Sequence, residues 1–297
     1  MKRIGPLILT VLATFSSCTF SEKTQETSKK SDSTATDGKS AEVKSPAAPG
    51  TPNRQPAEPK LPPIRTEEEL RAALKEKNPD FKGEMFVDGD GRDILLLGIN
   101  DPAVKDITPL AGLPLLRLDL SETGVTDIGP LEGLPLEVLS MEKTAVEDIG
   151  PLKGMPLVQL NLIHTRVRDL SPLREMPQLD TIWLTGCPVS DISPIKDVPS
   201  LASLTIAETG VSDLSPLKDH PLLRLHIARS QVTDLSPLES MELTRLIFTP
   251  SRITKGIEFA REMATINQID VEFPHPDDSP PLGPDEFWPM YDAGEFK

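Results

Sequence analysis

A stacked-repeat solenoid is the fold this sequence predicts, and three observations carry it. The first is a period. An Asp, then Ile or Leu, then Pro three residues and Leu (Ile195 in one unit) four residues after the Asp, begins at Asp106, Asp127, Asp148, Asp169, Asp191, Asp213 and Asp234, with steps of 21 or 22 residues. The second is an alternating apolar pair in each unit, from Leu118 and Leu120 through Ile182 and Leu184 to Leu246 and Phe248, which marks a short strand. The third is the proline that follows each Asp, which shortens the return arm to a 3₁₀ or irregular turn. A period of this length with this leucine spacing specifies a leucine-rich repeat solenoid: a curved parallel sheet on the concave face, short convex arms, and helical caps at both ends. No single unit can bury both of its apolar pieces, so stability is shared between neighbours.

Within each arm, Pro109, Pro130, Pro151, Pro172, Pro194, Pro216 and Pro237 stand at the expected first helical position, with Thr, Gly or Ser before them as cap. The repeated aspartates are expected to bind backbone amides rather than metal. A series Thr123, Thr144, Thr165, Cys187, Thr209, Ser230 and Ser251 places a hydroxyl, or a thiol, where it can bond the turn leaving each strand.

Before the repeats, residues 1–18 read as an export signal, with Lys2 and Arg3 ahead of an apolar stretch too short to span a bilayer. Phe15-Ser16-Ser17-Cys18 resembles a bacterial lipobox, departing from it at Phe15, and implies lipidation at Cys18; simple cleavage is the alternative. Residues 19–63, rich in Ser, Thr, Lys, Pro and Ala, form the expected tether. The predicted location is therefore the cell envelope, membrane-anchored through Cys18, or secreted or periplasmic if Cys18 is not acylated. Residues 64–273 form the repeat domain with its caps. Thr66 starts a helix to about Lys77 that lids the first repeat. Asp88-Gly89-Asp90-Gly91 reads as a hairpin turn rather than a calcium loop, which would need a further Glu. A helix near Ile253–Met263 and a strand from Gln268 to Phe273 close the other end. Residues 274–297 form a proline-rich acidic tail whose terminal aromatics either pack on the cap or dock a partner.

The net charge of −15 argues against nucleic acid, whose phosphates need a basic surface. Cys18 and Cys187 are not expected to pair. His164, His220, His226 and His275 share no metal-ligand spacing with Cys187, and no catalytic constellation, metal site or cofactor is predicted.

Strand alternation nominates a surface. The central outward row is Gly98, Asp119, Ser140, Asn161, Trp183, Thr205, His226 and Ile247, flanked by rows containing Arg224 and Arg245 on one side and Ile163 on the other. Trp183 is the anchor candidate, with Asn161, Ile163, Thr205 and Ile247 around it and Arg224, His226 and Arg245 as a cationic end. The competing reading packs Trp183 flat on Ile163 and Thr205.

The repeated Asp-Leu-Ser-Pro-Leu resembles the internalin-like, short-repeat class of bacterial leucine-rich repeat proteins. Leu243–Leu246, Ile253–Gly256 and the closing Phe-Trp-x-x-Tyr-Asp-Ala-Gly-Glu-Phe at Phe287–Phe296 are similar to repeat regions of planctomycete-type bacteria that often accompany a Ser/Thr kinase domain. The chain lacks the kinase motifs themselves. The resemblance covers Thr66 to the C-terminus and implies a non-enzymatic role binding a protein or peptide. A structural spacer of the envelope and a regulatory accessory to a separately encoded enzyme such as a kinase stay open as alternatives.

Overall fold

The computed structural model describes Ile64, residues 66–271 and residues 282–296. The predicted signal, Cys18, the tether, His275 and the end of the predicted last strand at Phe273 lie outside them. Ten strands form one sheet in chain order: β1 (Phe86–Gly89), β2 (Ile94–Gly98), β3 (Arg117–Asp119), β4 (Val138–Ser140), β5 (Gln159–Asn161), β6 (Thr181–Trp183), β7 (Ser203–Thr205), β8 (Arg224–His226), β9 (Arg245–Ile247) and β10 (Gln268–Asp270). β1 and β2 make the expected antiparallel hairpin, and every later pairing is parallel and in register.

The middle residue of each repeat strand faces inward. Leu118, Leu139, Leu160, Ile182, Leu204, Leu225 and Leu246 stack across the register and are essentially buried. The return arms contribute a second column, Leu110, Leu131, Leu152, Leu173, Ile195, Leu217 and Leu238, all fully buried. Each buried Leu or Ile contributes about 1.5–3 kcal/mol relative to exposure, so the two columns dominate the stability of the stack.

The arms are short 3₁₀ turns, Thr108–Leu110 in the first unit and Ser236–Leu238 in the last. The Thr, Gly or Ser expected as cap is itself the first residue of the turn, and the proline is the second. The capping group lies one step earlier in the logic of the sequence: in all seven units the Asp Oδ1 accepts the amide of the residue two positions on, at 2.7–2.8 Å. A 3₁₀ turn this short leaves its first N–H groups unpaired, and a side-chain carboxylate reaches them before a following hydroxyl can. The Thr108 side chain and amide hold Asp106 below the usual carboxylate range, the amides and side chains of Ser171 and Ser193 do the same for Asp169 and Asp191, and the Ser236 side chain, with Lys255 and the Ser236 amide, lowers Asp234 to about 2.

The hydroxyl series behaves as expected in five units. Thr123, Thr144, Thr165, Thr209 and Ser230 donate to the carbonyl three residues back at 2.6–2.8 Å. Cys187 is a buried free thiol that reaches instead to Leu162 O of the previous unit at 2.9 Å. Ser251 departs from the series: it sits exposed in the 3₁₀ turn Pro250–Arg252.

Both ends are closed. Helix α1 (Glu67–Lys77) begins at Thr66 with a reciprocal capping box to Glu69 and buries Leu70 and Leu74. Asn78, at its end, accepts the Lys105 and Asp106 amides and donates to Asp106 O, tying the cap to the first repeat. At the other end α2 (Ile257–Glu262) is followed by β10 and then by α3 (Pro284–Ala293). The terminal aromatics pack. Phe287 is fully buried, with its ring centroid 5.7 Å from Phe248, 5.0 Å from Trp288 and 4.9 Å from Phe296. Arg261 of α2 lies over the Trp288 ring at 4.7 Å and pairs with Asp292 at 2.6 Å.

Candidate functional site

The open face of the sheet is built by the first and third residue of each strand. Hydrogen-bond register aligns Asn161, Trp183 and Thr205 side by side, and continues through His226 and Ile247. Trp183 is half-buried at the centre of the row. Ile163 stands two residues beyond Asn161, whose Oδ1 accepts the Ile163 amide at 3.0 Å and so fixes both. Asp119 makes the same bond to the Ser121 amide at 2.9 Å. Much of the surrounding face is small and closed: Ser140, Thr181 and Ser203 are buried, and Ser140 bonds Ser121 across the strands at 2.9 Å. Trp183 is thus the large ring in a field of short side chains, which is the arrangement that makes an aromatic residue an anchor.

Two of the predicted contact residues need correction. Ile247 stands in the outward row, yet is only 2% exposed, so it is covered and offers no contact surface. His226 is not a cation near neutral pH. Burial pushes its pKa down to about 4, Glu208 opposing and Arg229 and Arg245 reinforcing the shift. The positive charge at this end therefore comes from Arg224 and Arg245, which are paired in register. Burial and the neighbouring Arg224 lower the pKa of Arg245, whose Nε donates to Gln268 Oε1. Thr205 and Arg224 stand where the sequence put them, half-buried on the open face.

The opposite end of the face is acidic. Burial, with Glu142 and Glu122 nearby, raises the pKa of Asp119. Lys143 bridges Glu122 at 2.8 Å and Glu142 at 3.4 Å.

One feature of the rim escaped sequence reasoning. Glu122, Lys143, His164, Glu208 and Arg229 adopt left-handed backbone with φ of 55–61°, and Gly186 holds the same place with φ 70°. The conformation turns the amide of Glu122, Lys143, His164, Gly186 and Glu208 onto a carbonyl of the next unit at 2.8–3.0 Å. The cross-unit bond compensates for a conformation that side chains disfavour. The signal in the sequence was Gly186, aligned immediately before the hydroxyl series.

A second concavity of about 400 Å³ lies at the C-terminal cap, lined by Glu239, Met241, Glu242, Phe259, Glu262, Met263, Ala264 and Thr265. Among the described residues no group of three metal-ligating side chains comes together, and no helix is long and apolar enough to cross a membrane.

No protein-family model matches the chain, and no curated protein sequence matches it. Solved structures do. Internalin C2 of Listeria monocytogenes superposes with a TM-score of 0.54 at 20% identity, over 67% of this chain and 91% of that one. Internalin F of the same organism gives 0.46 at 22% identity over 56% of this chain; the chain spans 57% of that structure's length. A leucine-rich repeat protein of Leptospira interrogans gives 0.39 at 18% identity, over 55% and 50% of the two chains. The likeness to internalin C2 is one of fold, and it agrees with the in-register stack in identifying a leucine-rich repeat solenoid.

Proposed function

We propose that this chain is a non-enzymatic binding module, held at the cell envelope through Cys18, that takes a protein or peptide on its open sheet face. The observation that supports the binding face is Trp183, a large ring fixed by strand register between Asn161 and Thr205 and surrounded by short side chains. Such a platform offers broad apolar area at low entropic cost, with polar groups beside it for orientation. Asn161, Ile163, Thr205, Arg224 and Arg245 complete the surface. Envelope anchoring rests on the sequence of residues 1–18 alone, and a Cys18→Ala variant that stays in the membrane fraction would refute it.

A spacer that assembles end to end would need open terminal repeats. Here the first repeat is covered by α1 and the last by Phe287 of α3, which favours the binding reading. The accessory role to a separately encoded kinase rests on the motif resemblance and predicts an enzyme among the captured partners.

The test is a pull-down from envelope extract with full-length protein beside Trp183→Asp, both verified as folded by circular dichroism. A partner held by the wild type and lost by the variant is the expected result. A partner held equally by both would refute the open-face site.

A further inference from the structure

The seventh return arm departs from those before it. Lys153, Arg174, Lys196 and Lys218 follow the buried Leu or Ile of the arm in four units, and Glu239 holds that place in the seventh. A second proline closes the arm in each of the first six units, from Pro114 to Pro221, and Glu242 replaces it in the last. The backbone changes with them. Ala111, Glu132, Lys153, Arg174 and Lys218 leave their turns with ψ of 124–142°, whereas Glu239 is helical at ψ −39°. What packs on the far side of this arm is the helix α2. The concavity of about 400 Å³ opens between the two, within the roughly 300–1,000 Å³ of small-ligand sites.

Its floor is apolar and fixed. Met241 is buried, Phe259 and Met263 are half-buried, and the Met263 sulfur accepts the Leu243 amide at 3.2 Å. Its rim is acidic and unneutralised. Glu239, Glu242 and Glu262 are exposed, and among the described residues none of their carboxylates has an ion-pair or hydrogen-bond partner. The basic residues beside and within α2 are engaged elsewhere, Lys255 with Asp234 at 2.9 Å and Arg261 with Asp292 at 2.6 Å. Among the described residues no three metal-ligating side chains come together, so these carboxylates do not converge on one hard cation, which would need several oxygens about a single point. Carboxylates spread around an apolar floor match positive charges spread along an apolar chain. We propose that this crevice binds a linear aliphatic polyamine, its methylene segments on Met241, Phe259 and Met263 and its ammonium groups against Glu239, Glu242 and Glu262. Methionine adapts its shape to a flexible chain, and the Phe259 ring adds attraction for a cation. The site lies on the cap and is separate from the open sheet face.

The probe is spermidine, titrated calorimetrically into the full-length protein at 0.15 M salt with magnesium in excess, conditions that screen diffuse attraction to an acidic surface. Ala264→Tyr fills the crevice and keeps its charge. The triple variant Glu239→Gln, Glu242→Gln and Glu262→Gln removes the charge and keeps the cavity. A matched triple, Glu84→Gln, Glu132→Gln and Glu137→Gln, changes net charge equally at exposed positions outside the crevice. All substituted residues are exposed, and folding is checked by circular dichroism. The expected result is saturable one-to-one binding, abolished by Ala264→Tyr, weakened roughly tenfold by the crevice triple and unchanged by the matched triple. No saturable binding, or binding that survives Ala264→Tyr, would overturn the proposal. Equal weakening by the two triples would overturn it as well, because the attraction would then follow net charge and not this site.

Discussion

Truncating Phe287 to Ala probes how the C-terminal end of the solenoid is closed. The side chain is fully buried among the rings of Phe248, Trp288, Tyr291 and Phe296, at centroid distances of 4.9–6.4 Å. Removing a buried Phe costs about 3–5 kcal/mol through lost transfer energy and the cavity left behind. The four ring contacts place this site at the upper part of that range, since each well-formed aromatic pair adds about 0.5–1.5 kcal/mol. In a solenoid the loss falls first on the unit that carries it, so the cap should open before the central repeats. The chain has two tryptophans, Trp183 and Trp288. In a Trp183→Phe background, fluorescence in a urea titration reports the cap alone, while far-ultraviolet circular dichroism reports the stack. Phe287→Ala should move the Trp288 transition to lower urea by the equivalent of at least about 3 kcal/mol, and ahead of the dichroism transition. A shift below about 0.5 kcal/mol would refute the packing of α3 on Phe248.

Other consequences follow from the same geometry. Asp148→Ala removes the carboxylate that accepts the Gly150 amide at 2.7 Å, and should cost about 1 kcal/mol in urea unfolding, with Asp127→Ala at Gly129 costing the same. Gly186→Ala places a Cβ 2.2 Å from His164 Nδ1 on a left-handed backbone, and should destabilise by about 1–2 kcal/mol. Adding His164→Gly should restore only the steric part, which a double-mutant cycle isolates. His226 has its pKa lowered to about 4 by burial, below the ordinary 6.5 it regains on unfolding. The unfolded chain therefore binds the proton first, and stability is lost as pH falls from about 6.5 towards 4. Burial lowers the His220 pKa as well, with the same sign. In urea titrations across that window, His226→Gln should flatten part of the pH dependence, and an unchanged slope would refute the assignment.

The stack was legible because every unit repeats its own instruction. An apolar pair at strand spacing and an Asp two residues before an amide that needs a partner are local signals read in every unit, and a hydroxyl three residues after a carbonyl is one read in five of them. The α1 cap was legible for the same reason, since Thr66 and Glu69 are neighbours in sequence. What the sequence hid depends on packing at a distance. Alternation told that Ile247 points outward, but not that it would be covered. It placed His226 beside two arginines, yet its charge depends on burial, which no local pattern reveals. The closing helix lies within the segment read only as a proline-rich acidic tail, and it contains Pro284 and Pro289. Pro284 is in fact the first residue of α3, where a missing N–H costs nothing, and Gly294 ends the helix in left-handed backbone. The left-handed rim was hidden because five of its six positions carry side chains instead of glycine.

The most direct test of the binding face is site-specific photo-crosslinking in envelope extract. A photoreactive phenylalanine analogue replaces Thr205, beside Trp183 on the open face, or Lys153, exposed at the end of the return turn Gly150–Leu152. The account predicts a discrete adduct from position 205 that disappears with Trp183→Asp, and none from position 153. An adduct from position 153 alone, or from position 205 whether or not Trp183 is present, would contradict it.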